Sequence, residues 1–93
     1  MNRNVDIVAV DDDEEVLREF REKCRTQRGI RIKEMFSDPQ EALEYMLLYP
    51  PDAVFLDIEM EGMDGITLAR KLRIKYPDII IVFATAYQTY TLE

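Results

Sequence analysis

The chain contains no histidine, one cysteine and three glycines among its 93 residues. Without histidine, nucleophile–histidine pairs, imidazole general bases and His-bound zinc are all excluded. The single thiol, Cys24, can form neither an intrachain disulfide nor a cysteine metal site, which agrees with a reducing, cytoplasmic location. Three glycines leave no room for a G-x-G-x-x-G or Walker A phosphate loop. No apolar run approaches the roughly 20 residues that cross a bilayer, and Met1 to Asp6 has no signal-peptide apolar region. Basic residues are also scarce, with 12 Lys and Arg against 19 Asp and Glu and a net charge of −7. This segment is therefore expected to contact neither nucleic acid phosphates nor a membrane.

What is present fits one small folded domain over residues 1–93, with 47% hydrophobic residues. Val8-Ala9-Val10 ends at Asp11-Asp12-Asp13, and Ala53-Val54-Phe55-Leu56 ends at Asp57. Short, unbroken, β-branched runs of this kind read as strands buried on both faces of a parallel sheet. The whole chain alternates strand and helix. Val5 to Val10 is followed by a helix from Glu14 to about Gln27, with Val16, Leu17, Phe20 and Cys24 on one stripe and Gly29 placed to end it. Ile30 to Phe36 alternates isoleucines with charged residues, as an edge strand does. Asp38 and Pro39 start the second helix, and Pro50-Pro51 stops it. After Ala53 to Leu56, the loop Ile58 to Asp64 leads through Gly65 into a third helix, which Pro77-Asp78 closes before the apolar strand Ile79 to Ala84. The alternation predicts right-handed crossovers and an α/β fold with helices on both faces of a parallel sheet.

Ligands of such sheets bind outside the carboxyl ends of the strands, where strand order reverses. If the first and third strands are neighbours, Asp11, Asp12 and Asp57 converge on one crevice. Like charges held together call for a cation. Magnesium suits the set, because it takes a few carboxylates with waters and phosphate oxygens, and the backbone carbonyl of Glu59 offers one more oxygen. One carboxylate in such a site can attack a phosphoryl group to give an aspartyl phosphate, and the Thr85 hydroxyl is placed to meet that group. Asp13-Glu14-Glu15 reads instead as a solvated helix start, and Met60 and Met63 read as loop packing. An EF-hand reading fails because Val16 stands where that loop needs glycine.

Together these motifs resemble the receiver domain of two-component response regulators. They are Val10-Asp11-Asp12, Phe55-Leu56-Asp57-Ile58-Glu59-Met60, Gly62-Met63-Asp64-Gly65-Ile66 and Phe83-Ala84-Thr85-Ala86-Tyr87. The Asp-Ile-Glu-Met and Thr-Ala-Tyr stretches are most similar to receivers of LytTR-class transcription regulators. The resemblance implies a flavodoxin-like fold, Asp57 as phosphoacceptor, Asp11 and Asp12 as the Mg2+-binding pair with the Glu59 carbonyl, and Thr85 as the switch hydroxyl. It also implies a histidine kinase as donor and a transcriptional output. The absence of histidine fits a recipient rather than a donor of the phosphoryl group.

The chain departs from that family in two ways. Glu61 stands where a proline is usual, and the lysine that ends the family's fifth strand has no position here. By the spacing of its units, a further strand would begin about 25 residues after the fourth. The expectation is thus a receiver truncated to four strands, in order 2-1-3-4, and three helices, with no catalytic lysine and no DNA-binding output domain in this chain. Its apolar fourth strand would then be a sheet edge, inviting a homodimer or swapped dimer. A monomer would instead require residues 85 to 93 to fold back over that edge. The competing readings are a self-associating interaction module and an aspartyl-nucleophile phosphatase.

Overall fold

Three aspartates start the three helices. The carboxylates of Asp13, Asp38 and Asp64 accept hydrogen bonds from the amides of Glu15 (2.9 Å), Gln40 (3.0 Å) and Thr67 (2.7 Å). Each satisfies a donor that the first helical turn leaves without an intrahelical partner. The computed structural model describes residues 4–84 and 89–92. Among these, the elements run β1 (Val5–Val10), α1 (Glu14–Arg25), β2 (Ile30–Phe36), α2 (Pro39–Leu48), β3 (Ala53–Asp57), α3 (Gly65–Lys75), β4 (Ile80–Ala84) and β5 (Thr89–Leu92). They form one sheet in the order β2-β1-β3-β4-β5. The first four strands are parallel, as predicted, and give a flavodoxin-like receiver fold.

Alternation along the strands divides the core between two faces. Val8, Val54, Leu56 and Ile81 turn to one side and pack with Met46 of α2 and Leu68 and Leu72 of α3. All seven side chains are completely shielded from solvent. The other side is covered more thinly. There Leu17 of α1 is buried, and Phe20 lays its ring 4.6 Å from that of Phe55. Val16, expected on the apolar stripe of α1, remains 42% exposed, and Ile80 remains 49% exposed. The sheet therefore has a tightly packed face under α2 and α3 and a looser one under α1.

β2 carries a feature that its simple alternation does not reveal. Ile7 pairs with Ile32, but Val8 pairs with Glu34, so Lys33 is an extra residue. Such a bulge reverses which residues share a face. Met35 thereby joins Ile30 and Ile32 opposite Phe36, whose ring meets Tyr45 of α2 at 5.2 Å. Gly29 lies beyond the end of α1, which Thr26 caps, and takes φ of +82° in the turn into β2. The left-handed backbone there explains a glycine better than helix termination does.

The prediction that β4 is an open edge is corrected. β5 pairs with it antiparallel, with Ile81 opposite Leu92 and Ala84 opposite Thr89. Four positions separate the two strands. That is far too few for a parallel crossover but enough for an antiparallel return. Thr89-Tyr90-Thr91-Leu92 is rich in residues that favour strands, a signal that the expected parallel successor to β4 did not take in.

Candidate acidic metal centre

β1 and β3 lie side by side with Val10 opposite Leu56, so the residues after each leave the sheet at the same end. The Asp11 amide still donates to the Phe36 carbonyl (3.1 Å), which holds Asp11 against the sheet rather than in a free loop. The outcome is the predicted convergence. Carboxylate oxygens of Asp11, Asp12 and Asp57 all lie within 4.8 Å of one another. Backbone donors fix each group. Asp13 N–H donates to Asp11 Oδ1 (2.9 Å), Glu61 N–H to Asp12 Oδ2 (3.3 Å) and Glu59 N–H to Asp57 Oδ1 (3.4 Å). The loop after β3 is thus tied to two of the three carboxylates, and the Glu59 backbone stands beside Asp57. Thr85 lies outside the described residues.

Burial and crowding both act on these acids. Asp11 is pushed up to about 6, chiefly by burial, with the charges of Asp57, Asp12 and Asp13 adding to it and the Asp13 amide opposing it. Asp57 is also raised, first by burial and then by the charges of Asp12 and Glu59, against the Glu59 amide. An apolar recess of about 40 Å³, whose lining includes Phe20, Phe55 and Ala84, adjoins Asp57. Every neighbouring charge that raises Asp11 is acidic, so a divalent cation would relieve the crowding. The donors are hard carboxylate oxygens, and the chain has no histidine, so the set suits magnesium better than zinc.

Two further residues shape the site and were missed as such in the sequence. A Cβ on Gly65 would overlap the Asp57 carbonyl oxygen and lie 3.2 Å from Ile58 Cα. Only glycine lets α3 begin this close to the end of β3, where the Gly65 amide donates to the Ile58 carbonyl (2.8 Å). Asp64 caps the same helix, and its bond from the Thr67 amide holds its carboxyl below the usual range. The available signal was an Asp-Gly pair directly before a helical apolar pattern.

Four parallel strands in the order β2-β1-β3-β4, with an acidic cluster at the carboxyl ends of β1 and β3, form a receiver-type fold. The chain belongs to the response regulator receiver domain family, whose pattern it matches over residues 7–92. It is 35% identical over 89 residues to an uncharacterised response regulatory protein of Yersinia pestis, covering 94% of this chain and 36% of that protein. It is 47% identical over 47 residues to the sensory transduction protein LytT of Oceanobacillus iheyensis, covering 48% of this chain and 19% of that protein. The chain thus spans about a third or less of these relatives. Among solved structures, the signal receiver domain of a NarL response regulator from Mycobacterium tuberculosis superposes with a TM-score of 0.83. That match covers 92% of this chain and 69% of the other at 23% identity, a likeness of fold.

Two outcomes follow from the geometry. The fold favours protonated Asp11, so it binds more protons than the unfolded chain between pH 3.8 and about 6. Stability from this group is full below that window and is lost as pH rises through it. Thermal melts in chelator should therefore fall across this range by more in wild type than in Asp11→Asn, and parallel curves would contradict the assignment. Gly65→Ala should lower stability by about 1–3 kcal/mol in denaturant titrations, because the start of α3 must move away from Asp57. An unchanged midpoint would show that the contact relaxes freely.

Proposed function

We propose that residues 1–93 form the phosphoacceptor part of a response regulator and that Asp57 receives the phosphoryl group from a histidine of a partner kinase. One Asp57 carboxylate oxygen attacks phosphorus, the P–N bond breaks, and its electron pair stays on the imidazole. The product is an aspartyl phosphate on this chain. Supporting this reading is the gathering of three carboxylates within 4.8 Å at the ends of two adjacent strands, with Asp57 only half-buried. Asp11, Asp12, Asp57 and the Glu59 carbonyl are the groups we assign to magnesium, which when bound would offset charge on the transferred phosphoryl oxygens.

The remaining roles belong to the same proposal. The Thr85 hydroxyl senses the phosphoryl group as the switch. The parent regulator is cytoplasmic, and its output, outside this segment, is transcriptional and of the LytTR class. The similarity to a sensory transduction protein named LytT supports a place in signalling. The chain acts as a signalling module rather than as an enzyme toward an external substrate.

The test is incubation with acetyl phosphate and magnesium, followed by intact-mass measurement and peptide mapping. One added phosphoryl group, labile to hydroxylamine and absent from Asp57→Asn, is expected. A phosphoryl group that persists in Asp57→Asn, or that resists hydroxylamine, would contradict the assignment. Continuous release of phosphate from generic esters would favour a phosphatase instead.

A further inference from the structure

We propose that the groove between α1 and β2 is a docking site for an acidic peptide segment of a partner protein. Two adjoining recesses, of about 330 and 420 Å³, run along this flank and share Arg21 as a lining residue. Apolar side chains contribute to their lining, Leu17 and Cys24 from α1 and Ile30, Ile32 and Met35 from β2, beside the polar Gln27 and Ser37. Of these only Leu17 is fully buried, so the apolar lining remains open to a ligand. The bulge at Lys33 is what brings Met35 to the same face as the two isoleucines.

The rim is basic. Arg18, Arg21 and Arg25 follow one another at three- and four-residue spacing on one side of α1, about one helical turn apart, and Arg31 closes the far end. Four of the chain's 12 basic residues therefore line one groove of a molecule with net charge −7, with Glu14 also in the lining and Glu15, Glu22 and Asp6 at its margins. Three of the arginines have internal partners: Arg18 with Glu15 (3.1 Å), Arg25 with Glu22 (3.2 Å) and Arg31 with Asp6 (2.8 Å). The two pairs on α1 are well exposed at both ends. Exposed pairs of this kind are weak and exchange readily for an incoming carboxylate.

The chemistry narrows the occupant. Guanidinium forks favour carboxylates, and the apolar lining favours a ligand carrying hydrophobic side chains between its acids. A small inorganic anion would leave that lining unused. The bulge and the charged residues along β2 also disfavour strand addition, so the segment is held through its side chains. The Arg25–Arg31 end lies at the amino end of β2, remote from the acidic centre at the carboxyl ends of β1 and β3. The inference therefore stands independently of the role of Asp57.

The probe is a synthetic peptide alternating glutamate and leucine, titrated into the full chain by fluorescence anisotropy and by amide NMR. Binding is expected, with shifts concentrated in α1 and β2. The double variant Arg21→Glu/Arg25→Glu, with its fold checked by thermal melting, should weaken it at least about tenfold. Equal affinity in that variant, or shifts outside the groove, would overturn the proposal. So would equal binding of a lysine–leucine peptide, or tighter occupation of the groove by inorganic phosphate or single-stranded DNA. Concentration-dependent doubling of mass with the same shifts in the absence of peptide would assign the groove to a second copy instead.

Discussion

Mutual repulsion among Asp11, Asp12 and Asp57 is the constraint on which the rest of the structure turns. Their carboxylate oxygens fall within 4.8 Å of one another, and burial keeps water from screening Asp11 and Asp57 fully. Such an arrangement survives because the backbone imposes it. The pairing of β1 with β3 brings the two chain segments together, and amides of Asp13, Glu59 and Glu61 hold the carboxylates in place. Gly65 then allows α3 to start against the Asp57 carbonyl. The strand pairing gathers negative charge where a cation would bind, and the amides offset part of it.

The two faces of the sheet contribute differently. Under α2 and α3, fully buried Val54, Leu56, Leu68 and Leu72 fix β3, and with it the position of Asp57. Interiors packed in this way resist displacement, so the acid is preorganised rather than mobile. Under α1, Phe55 is only half-buried two residues before Asp57, and Ile80 is exposed at the opposite end of the strands. The tightly packed face thus holds the Asp57 backbone in place, and the face under α1 is packed more loosely.

Much of this was legible in the sequence because the signals were local. Apolar runs ending in acids marked β1 and β3, and the alternation of strands and helices fixed a parallel sheet in which they become neighbours. The Asp38-Pro39 and Pro50-Pro51 punctuation bounded α2. What escaped depends on long-range pairing. The bulge at Lys33 exists only relative to β1, and the closeness of Gly65 to Asp57 only relative to the end of β3. β5 escaped because the unit rhythm called for a parallel strand, whereas an antiparallel return needs no crossover.

The account rests on the three carboxylates acting as one cation site, and a magnesium titration followed by amide NMR tests that most directly. Wild-type protein should show saturable shifts at residues 11–13 and 57–61, with Asp57→Asn binding several-fold more weakly. Equal affinity in the two proteins, or shifts spread over unrelated acidic surface, would contradict it.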